Sequence, residues 1–319
     1  MWPKTGETVT TQKSTYVMKV PYEDGWLMVG CGVYLADAPK GVMAKGHTSS
    51  SQLMKLVNEA AEEFKAKGET AFTDFRNKGT KWFSNETYFF AFSKNGTRTF
   101  HAMEPQTEGR NDIALRDVLG RPIVKMFLDA GFSKAGEGWV HYMWPEPGEI
   151  FPSWKSAYVK RVTFPSGKQY IIGSGIYNMQ LDKMFIEDMV NRASSLVAEQ
   201  GAAAFPLLRD KKGPFVFMNT YVFVDNREGV ELVNGGQPAI EGKNLWELQD
   251  LRGKYAMKEY MSAALEKGDA WVEYYWYKPW TNEPARKMTY VKKVQHGNET
   301  YVVGAGYFPV DDENKLAKY

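Results

Sequence analysis

The sequence has a single cysteine, Cys31, and only four histidines among its 319 residues. One cysteine excludes an internal disulfide, and the histidines show none of the ligand spacings of a zinc site. With 40 basic and 38 acidic residues the net charge is +2, which gives no electrostatic reason to expect nucleic acid or an anionic membrane as a partner. No apolar run reaches the length of about 18 residues that a membrane-spanning helix needs, and no signal peptide is visible.

Self-similarity is the strongest feature that the sequence does have. The segment K-S-T-Y-V-M-K-V at 13–20 recurs as K-S-A-Y-V-K-R-V at 155–162 and as K-M-T-Y-V-K-K-V at 287–294. Each copy is followed by two glycines separated by one residue, at 30–32, 173–175 and 304–306. Upstream pairs such as Tyr88 and Tyr221 lie 133 positions apart. A repeat of this length is the size of a domain, so we predict modules at 36–178 and 179–319 and the C-terminal half of a third at 1–35.

Each complete module has the same predicted order of elements. Residues 49–67 have apolar side chains at three- and four-residue spacing, serines for an N-cap and Gly68 as a stop. Residues 181–199 repeat this pattern before Gly201. Two strands, a short helix and three strands follow in each module, with connections too short for parallel crossovers. We therefore predict an α+β fold in which each module has one antiparallel sheet.

Shared motifs in a fixed order make the chain resemble the Cache domain family of PAS-like extracytoplasmic sensors. They are A-F-x-x-[FL]-R, T-Y-x-F, G-[RK]-N before D-x-x-G, W-V-x-Y-x-W, K-x-x-Y-V and G-x-G-x-[YF]. The resemblance implies a long N-terminal helix, a central antiparallel sheet and a small-ligand pocket on one face of that sheet. The G-x-G pairs end hairpin strands and lack a third glycine, so we reject a nucleotide site and expect them to mark close backbone approach or a bulge.

The resemblance implies a non-enzymatic protein that binds a small polar metabolite, such as an organic acid or another carboxylate, in the periplasm or outside the cell. No catalytic set and no cofactor motif recurs in both modules. Family members usually pass a signal through a membrane helix, and this sequence contains none, which leaves a secreted binding protein or an excised sensor region. The alternative is a structural or assembly protein that is built from Cache modules with vestigial pockets.

Charged and hydroxyl-bearing residues that recur in both modules are the candidate ligand contacts. Alternation along a strand places Lys155 and Tyr158 on opposite faces, so only one of them should line a pocket. A lysine here either meets a carboxylate or is an ordinary exposed lysine. Arg76 either binds ligand or pairs with a nearby acid at a helix end. The full candidate set is Arg76, Tyr88, Lys155 and Tyr158 in the first module, and Arg209, Tyr221, Lys287 and Tyr290 in the second.

Two further expectations concern the differences between the copies. Polarity changes at His101 and Asn234, at His141 and Glu273, and at Met143 and Tyr275, so the two pockets should prefer different ligands. Residues 1–35 contain three strand-like runs, Met1–Pro3, Ser14–Val20 and Trp26–Leu35. A partial sheet exposes edges that recruit other strands. We therefore expect this segment to pack on the first module or to join another chain, and we expect the sequence to begin within a module.

Overall fold

The computed structural model describes residues 2–3, 10–11, 13–22, 25–34, 48–84, 87–279 and 283–309. The chain divides into two compact units, residues 1–46 and 47–319. The first unit has two antiparallel strand pairs: β1 (Trp2–Pro3) with β2 (Thr10–Thr11), and β3 (Lys13–Tyr22) with β4 (Gly25–Tyr34). The predicted strands are confirmed where they are described. Met1, Leu35, the boundary at residue 36 and residues 310–319 lie outside the described part of the chain.

The second unit begins with a five-stranded antiparallel sheet, which we call module one together with its helices. The elements are α1 (Ser50–Lys67), α2 (Phe72–Phe75), β5 (Phe89–Ser93), β6 (Arg98–His101), α3 (Ile123–Gly131), β7 (Glu137–Pro145), β8 (Pro152–Thr163) and β9 (Gln169–Tyr177). The strand order is β6-β5-β9-β8-β7. The predicted α+β fold and the predicted order of elements are confirmed.

Module two repeats this arrangement around a six-stranded antiparallel sheet. Its elements are α4 (Lys183–Gln200), α5 (Phe205–Arg209), β10 (Val216–Phe217), β11 (Thr220–Asn226), β12 (Glu231–Asn234), α6 (Ala256–Lys267), β13 (Asp269–Tyr277), β14 (Pro284–His296) and β15 (Glu299–Tyr307). The order is β10-β11-β15-β14-β13, and β12 also pairs with β11. The module boundaries in the sequence stay predictions.

Local sequence explains where the long helices begin and end. Ser49 and Gln52 form a reciprocal capping box at the start of α1, and Gly68 ends the helix with a φ of 61°. The Asp182 side chain caps α4, which ends at Gly201. Apolar residues of α1, including Leu53, pack on one face of the first sheet, so the long helix covers this face and α3 covers the other.

The aspartates before the short helices, Asp117 and Asp250, cap turns. Asp117 Oδ1 accepts from the backbone N–H groups of Leu119 and Arg121, and its Oδ2 accepts from that of Met143, each at 2.9 Å. Asp250 makes the equivalent contacts in module two. These bonds fix the start of α3 and α6 against the end strand of each sheet.

Candidate functional site

A small cavity lies between the sheet of module one and α3. Its volume is about 30 Å³. We call it cavity one, and the residues that line it are Tyr88, Phe90, Phe92, Arg98, His101, Leu115, Ile123, Val124, Phe127, Tyr142, Trp144 and Lys155. Most of the wall is aromatic or aliphatic, and a few polar groups converge on it, as is usual for a small-molecule site.

Lys155 on β8 places a buried ammonium group at cavity one. Its side chain is only 1% exposed. Nζ donates to the hydroxyl of Tyr88 at 2.6 Å and to that of Tyr177 at 3.4 Å, and it lies 3.9 Å from the centre of the Tyr88 ring. No carboxylate in the described residues forms an ion pair with it. Burial lowers the pKa of Lys155, because removing a cation from water without a counter-charge disfavours its charged form.

The second glycine of each G-x-G pair makes room for the lysine. A Cβ atom on Gly175 would lie 2.9 Å from Lys155 Cε, and one on Gly306 would lie 2.8 Å from Lys287 Cε. Either contact is shorter than real Cβ atoms tolerate, so a larger residue would displace the lysine stem. The expected close backbone approach is therefore observed, and the glycines serve the lysine site.

Arg98 and His101 on β6 add further donors to cavity one. Arg98 pairs with the buried Asp112, with Nε and Oδ2 2.8 Å apart, and its Nη1 donates to Thr107 Oγ1 at 2.8 Å. His101 Nδ1 accepts from the Glu104 N–H at 2.9 Å, which assigns the ring hydrogen to Nε2. Burial, with the cations of Arg98 and Lys155 nearby, lowers the pKa of His101 to about 3. The imidazole is therefore neutral and its Nε2–H is a donor.

An equivalent cavity, cavity two, lies between the sheet of module two and α6. Its volume is also about 30 Å³. It is lined by Tyr221, Phe223, Glu231, Asn234, Leu245, Leu248, Ala256, Met257, Tyr260, Tyr274, Trp276 and Lys287. Lys287 is 2% exposed, and its Nζ donates to the Tyr221 hydroxyl at 3.2 Å. Burial lowers the pKa of Lys287 to about 8, against the attraction of Glu231.

Cavity two differs from cavity one in holding buried carboxyl groups. Glu231 is 3% exposed and accepts from the Asn234 side-chain amide. Burial raises the pKa of Glu231 to about 7, although Asn234 and Lys287 both act to lower it. Asp225 is fully buried, and burial, followed by the charge of Glu231, raises its pKa well above the ordinary value. Two neighbouring carboxyl groups in an apolar site hold a proton between them.

Four of the eight predicted site residues line the cavities, and the other four, two arginines and two tyrosines, do not. The four that line them are Tyr88, Lys155, Tyr221 and Lys287. Arg76 instead binds Glu108 through Nη2, with contacts of 2.7 and 2.8 Å to the two carboxylate oxygens. Arg209 binds Glu241 in the same way, with Nε 2.9 Å from each oxygen. Both arginines therefore adopt the pairing with an acid that was their alternative interpretation.

The two remaining candidates, Tyr158 and Tyr290, lie on the opposite face of each sheet. Tyr158 packs in the core under α1, with its ring 5.1 Å from that of Trp139. Tyr290 packs under α4, 5.3 Å from Trp271. Strand alternation thus places one member of each pair at the cavity, as expected, and that member is the lysine.

The predicted polarity differences lie beside the cavities at only one of three positions. His101 and Asn234 line their cavities. His141 instead bonds Ser156 at 2.9 Å and stacks on Phe217 of module two, and Glu273 pairs with Arg286. The prediction that the other two pairs lie beside a cavity is therefore wrong. The side chains of His141, Met143, Glu273 and Tyr275 project from the face of the strand that is opposite to the cavity.

Sequence reasoning missed the charged residues that distinguish the cavities, namely Arg98 and Glu231. They occupy equivalent positions 133 residues apart on short strands, β6 and β12, and both are buried. Tyr142 and Tyr274, which line the two cavities 132 positions apart, were also missed. The signal for all four was present in the repeat alignment, as a shared tyrosine and as an exchange of charge within a strand.

Comparison with known proteins identifies the family. The Cache domain model matches residues 45–212 and 184–318, so the chain belongs to the Cache domain family. Cache domains are sensor domains of receptors, typically non-catalytic.

Several solved structures resemble parts of the chain. A methyl-accepting chemotaxis protein from Vibrio parahaemolyticus is 22% identical, with 40% of this chain and 87% of that chain covered and a TM-score of 0.34. A Cache chemosensory domain described for carboxylic acid recognition is 25% identical, with 41% and 93% covered and a TM-score of 0.34. The ligand-binding domain of the Pseudomonas fluorescens chemoreceptor CtaA, in complex with L-isoleucine, is 11% identical, with 83% and 87% covered and a TM-score of 0.29. Membership of the family rests on the family model.

The described residues contain neither a membrane-spanning helix nor a cluster of metal ligands. None of their helices is long and apolar enough to cross a membrane. They also contain no group of three or more histidine, cysteine, aspartate or glutamate side chains arranged to hold a metal ion.

Proposed function

We propose that the chain is a tandem, non-enzymatic sensor that acts outside the cytoplasm and binds a small carboxylate in cavity one. The observation that carries this proposal is the buried ammonium group of Lys155, whose hydrogen-bond partners are neutral hydroxyls. An unpaired buried cation costs several kcal/mol, and a carboxylate ligand supplies the missing charge. The hydrogen bonds so formed are charge-assisted and contribute about 1.5–3 kcal/mol each.

The surroundings of Lys155 suit a small anion. Arg98 and the His101 Nε2–H lie on the same cavity wall, and no acidic side chain is part of the lining. The small volume of cavity one favours a ligand with few non-hydrogen atoms. Formate, acetate, propionate and pyruvate are the appropriate first panel.

Thermal unfolding of the whole chain with each carboxylate tests the proposal. A ligand present at 100 times its dissociation constant should stabilise the protein by about 2.7 kcal/mol. Lys155→Met should weaken binding at least tenfold, which corresponds to about 1.4 kcal/mol. The apo variant should be as stable as the unchanged protein, because methionine fills the apolar stem without burying a charge. A structural lysine would instead lose stability on this change.

Lys160→Met is the matched control. Lys160 lies on the same strand, on the other face, where Nζ bonds Glu137 and Asn58, each at 2.7 Å. This variant should bind the carboxylate as tightly as the unchanged protein. A folded protein that no member of the panel stabilises would contradict the proposal and favour the assembly alternative.

A further inference from the structure

The two cavities are built from the same framework. Tyr88, Tyr142, Trp144 and Lys155 of cavity one correspond to Tyr221, Tyr274, Trp276 and Lys287 of cavity two, at offsets of 132 or 133 residues. In both, the lysine lies over a tyrosine ring and above a strand glycine. An anion-binding corner is therefore common to the two modules.

The opposite wall of the cavities carries opposite charge. Arg98 in module one becomes Glu231 in module two, and the apolar Phe92 becomes Asp225. Phe127 becomes Tyr260, whose hydroxyl donates to Asp225 Oδ2 at 2.9 Å. The three exchanges form one connected group, because the Tyr260 hydroxyl bonds Asp225 and the Asp225 carboxyl group contacts that of Glu231.

The carboxyl pair is not satisfied by protein cations. No ion pair to Glu231 or Asp225 occurs among the described residues, and the side-chain partners of Asp225 there are the Tyr260 hydroxyl and the Glu231 carboxyl group. Glu231 itself lines the cavity, and its side-chain partners are the Asn234 amide and the neighbouring carboxyl group of Asp225. A buried carboxylate with this environment gains most from a cationic donor.

The charged groups around cavity two indicate which charges its ligand carries. When Lys287 is protonated and Glu231 is ionised, with Asp225 keeping its proton, the empty site is neutral. A simple carboxylate would leave one negative charge in excess, and a simple amine one positive charge. A molecule that carries both groups leaves the balance at zero, with its carboxylate at Lys287 and its ammonium at Glu231.

We infer that cavity two binds a small amino acid as a zwitterion, whereas cavity one binds a carboxylate without an amino group. This inference rests on the proposed function, since it assigns a ligand class to the second of the two sensor sites. In cavity one the position of Glu231 is taken by Arg98, which already pairs with Asp112 and Glu104, so no carboxylate of the lining faces an ammonium group there.

Isothermal titration of the whole chain with L-alanine and with propionate tests the inference, because the two probes differ by one amino group. Alanine should bind one site, and Glu231→Gln should weaken that binding at least tenfold while leaving propionate affinity unchanged. Lys155→Met should do the reverse. Glutamine keeps an oxygen for the Asn234 amide, and circular dichroism checks that the variant is folded.

The outcomes separate the inference from the proposed function. Propionate binding without alanine binding overturns the inference and leaves the carboxylate proposal standing. Alanine binding that is insensitive to Glu231→Gln also overturns it, since the ammonium then lies elsewhere. Binding of neither probe contradicts both.

Discussion

Replacing Arg121 by alanine should lower the free energy of unfolding by about 3–5 kcal/mol. Arg121 follows the Asp117 turn and is 2% exposed. Its Nη1 donates to Gly213 O at 3.0 Å, and its Nη2 donates to Lys211 O at 3.2 Å and to Val216 O. The alanine variant loses these bonds between modules and leaves buried carbonyl groups without a donor.

Urea unfolding of the two proteins measures this effect, and Arg116→Ala is the control. Arg116 is an exposed arginine of the same turn that donates to Gly120 O at 2.9 Å. Its loss should change the free energy of unfolding by less than about 0.5 kcal/mol. A loss below about 1 kcal/mol for Arg121→Ala would show that water replaces the guanidinium, and the contact would then not hold the modules together.

Arg121 also shows how the two sites are connected through the fold. The residues just after it, Ile123 and Val124, line cavity one. Its acceptors end at β10, which pairs with the start of β11, where Tyr221 lines cavity two. One side chain therefore fixes the wall of one cavity to the strand that carries the other.

Local patterns were sufficient to predict the helices and the opposite faces of Lys155 and Tyr158, but not which of the two lines the cavity. Capping serines, three- and four-residue spacing and a terminal glycine define α1 without any tertiary information. Alternation along β8 required Lys155 and Tyr158 to point apart, and only the partners on each side decided which one met the cavity. The glycine at 175 is itself part of that answer, since it leaves space for the lysine.

Contacts between distant segments explain what was not predicted. Arg76 is bound by Glu108, 32 residues away, and nothing near Arg76 in the sequence distinguishes that pairing from a ligand contact. The triad of Asp225, Glu231 and Tyr260 comes from β11, β12 and α6. The contacts within this triad form only when the packing brings these elements together, although each residue exchange is visible separately in the repeat alignment.

The stability of Glu231→Gln relative to the unchanged protein should rise by about 3 kcal/mol between pH 4.5 and pH 7.5. Burial raises the pKa of Glu231 from 4.5 to about 7 in the folded protein. The folded state then holds the proton more tightly than the unfolded state. The stability this proton contributes is complete below pH 4.5 and is lost as the pH rises to 7. Glutamine does not titrate, so the variant escapes the loss.

Other titratable groups either add to this pH dependence of the stability difference or contribute equally to both proteins. In the variant, Asp225 no longer faces the charge of Glu231, and Lys287 loses a partner that holds its proton. Both changes favour the variant further as the pH rises. The pKa of His101 is lowered to about 3, so its contribution falls as the solution becomes more acidic. His101 is present in both proteins, however, and its effect disappears from their difference.

Urea unfolding at half-unit steps of pH, with Glu228→Gln as the control, measures this difference directly. Glu228 lies exposed in the turn between β11 and β12, so its loss tests the general effect of removing one carboxyl group. Glu231→Gln should be close to neutral at pH 4.5 and clearly more stable than the unchanged protein at pH 7.5. A difference that stays constant over this range would mean that Glu231 is ionised in the folded protein throughout. Such a result would contradict the raised pKa of Glu231 and would leave Asp225 as the protonated member of the pair.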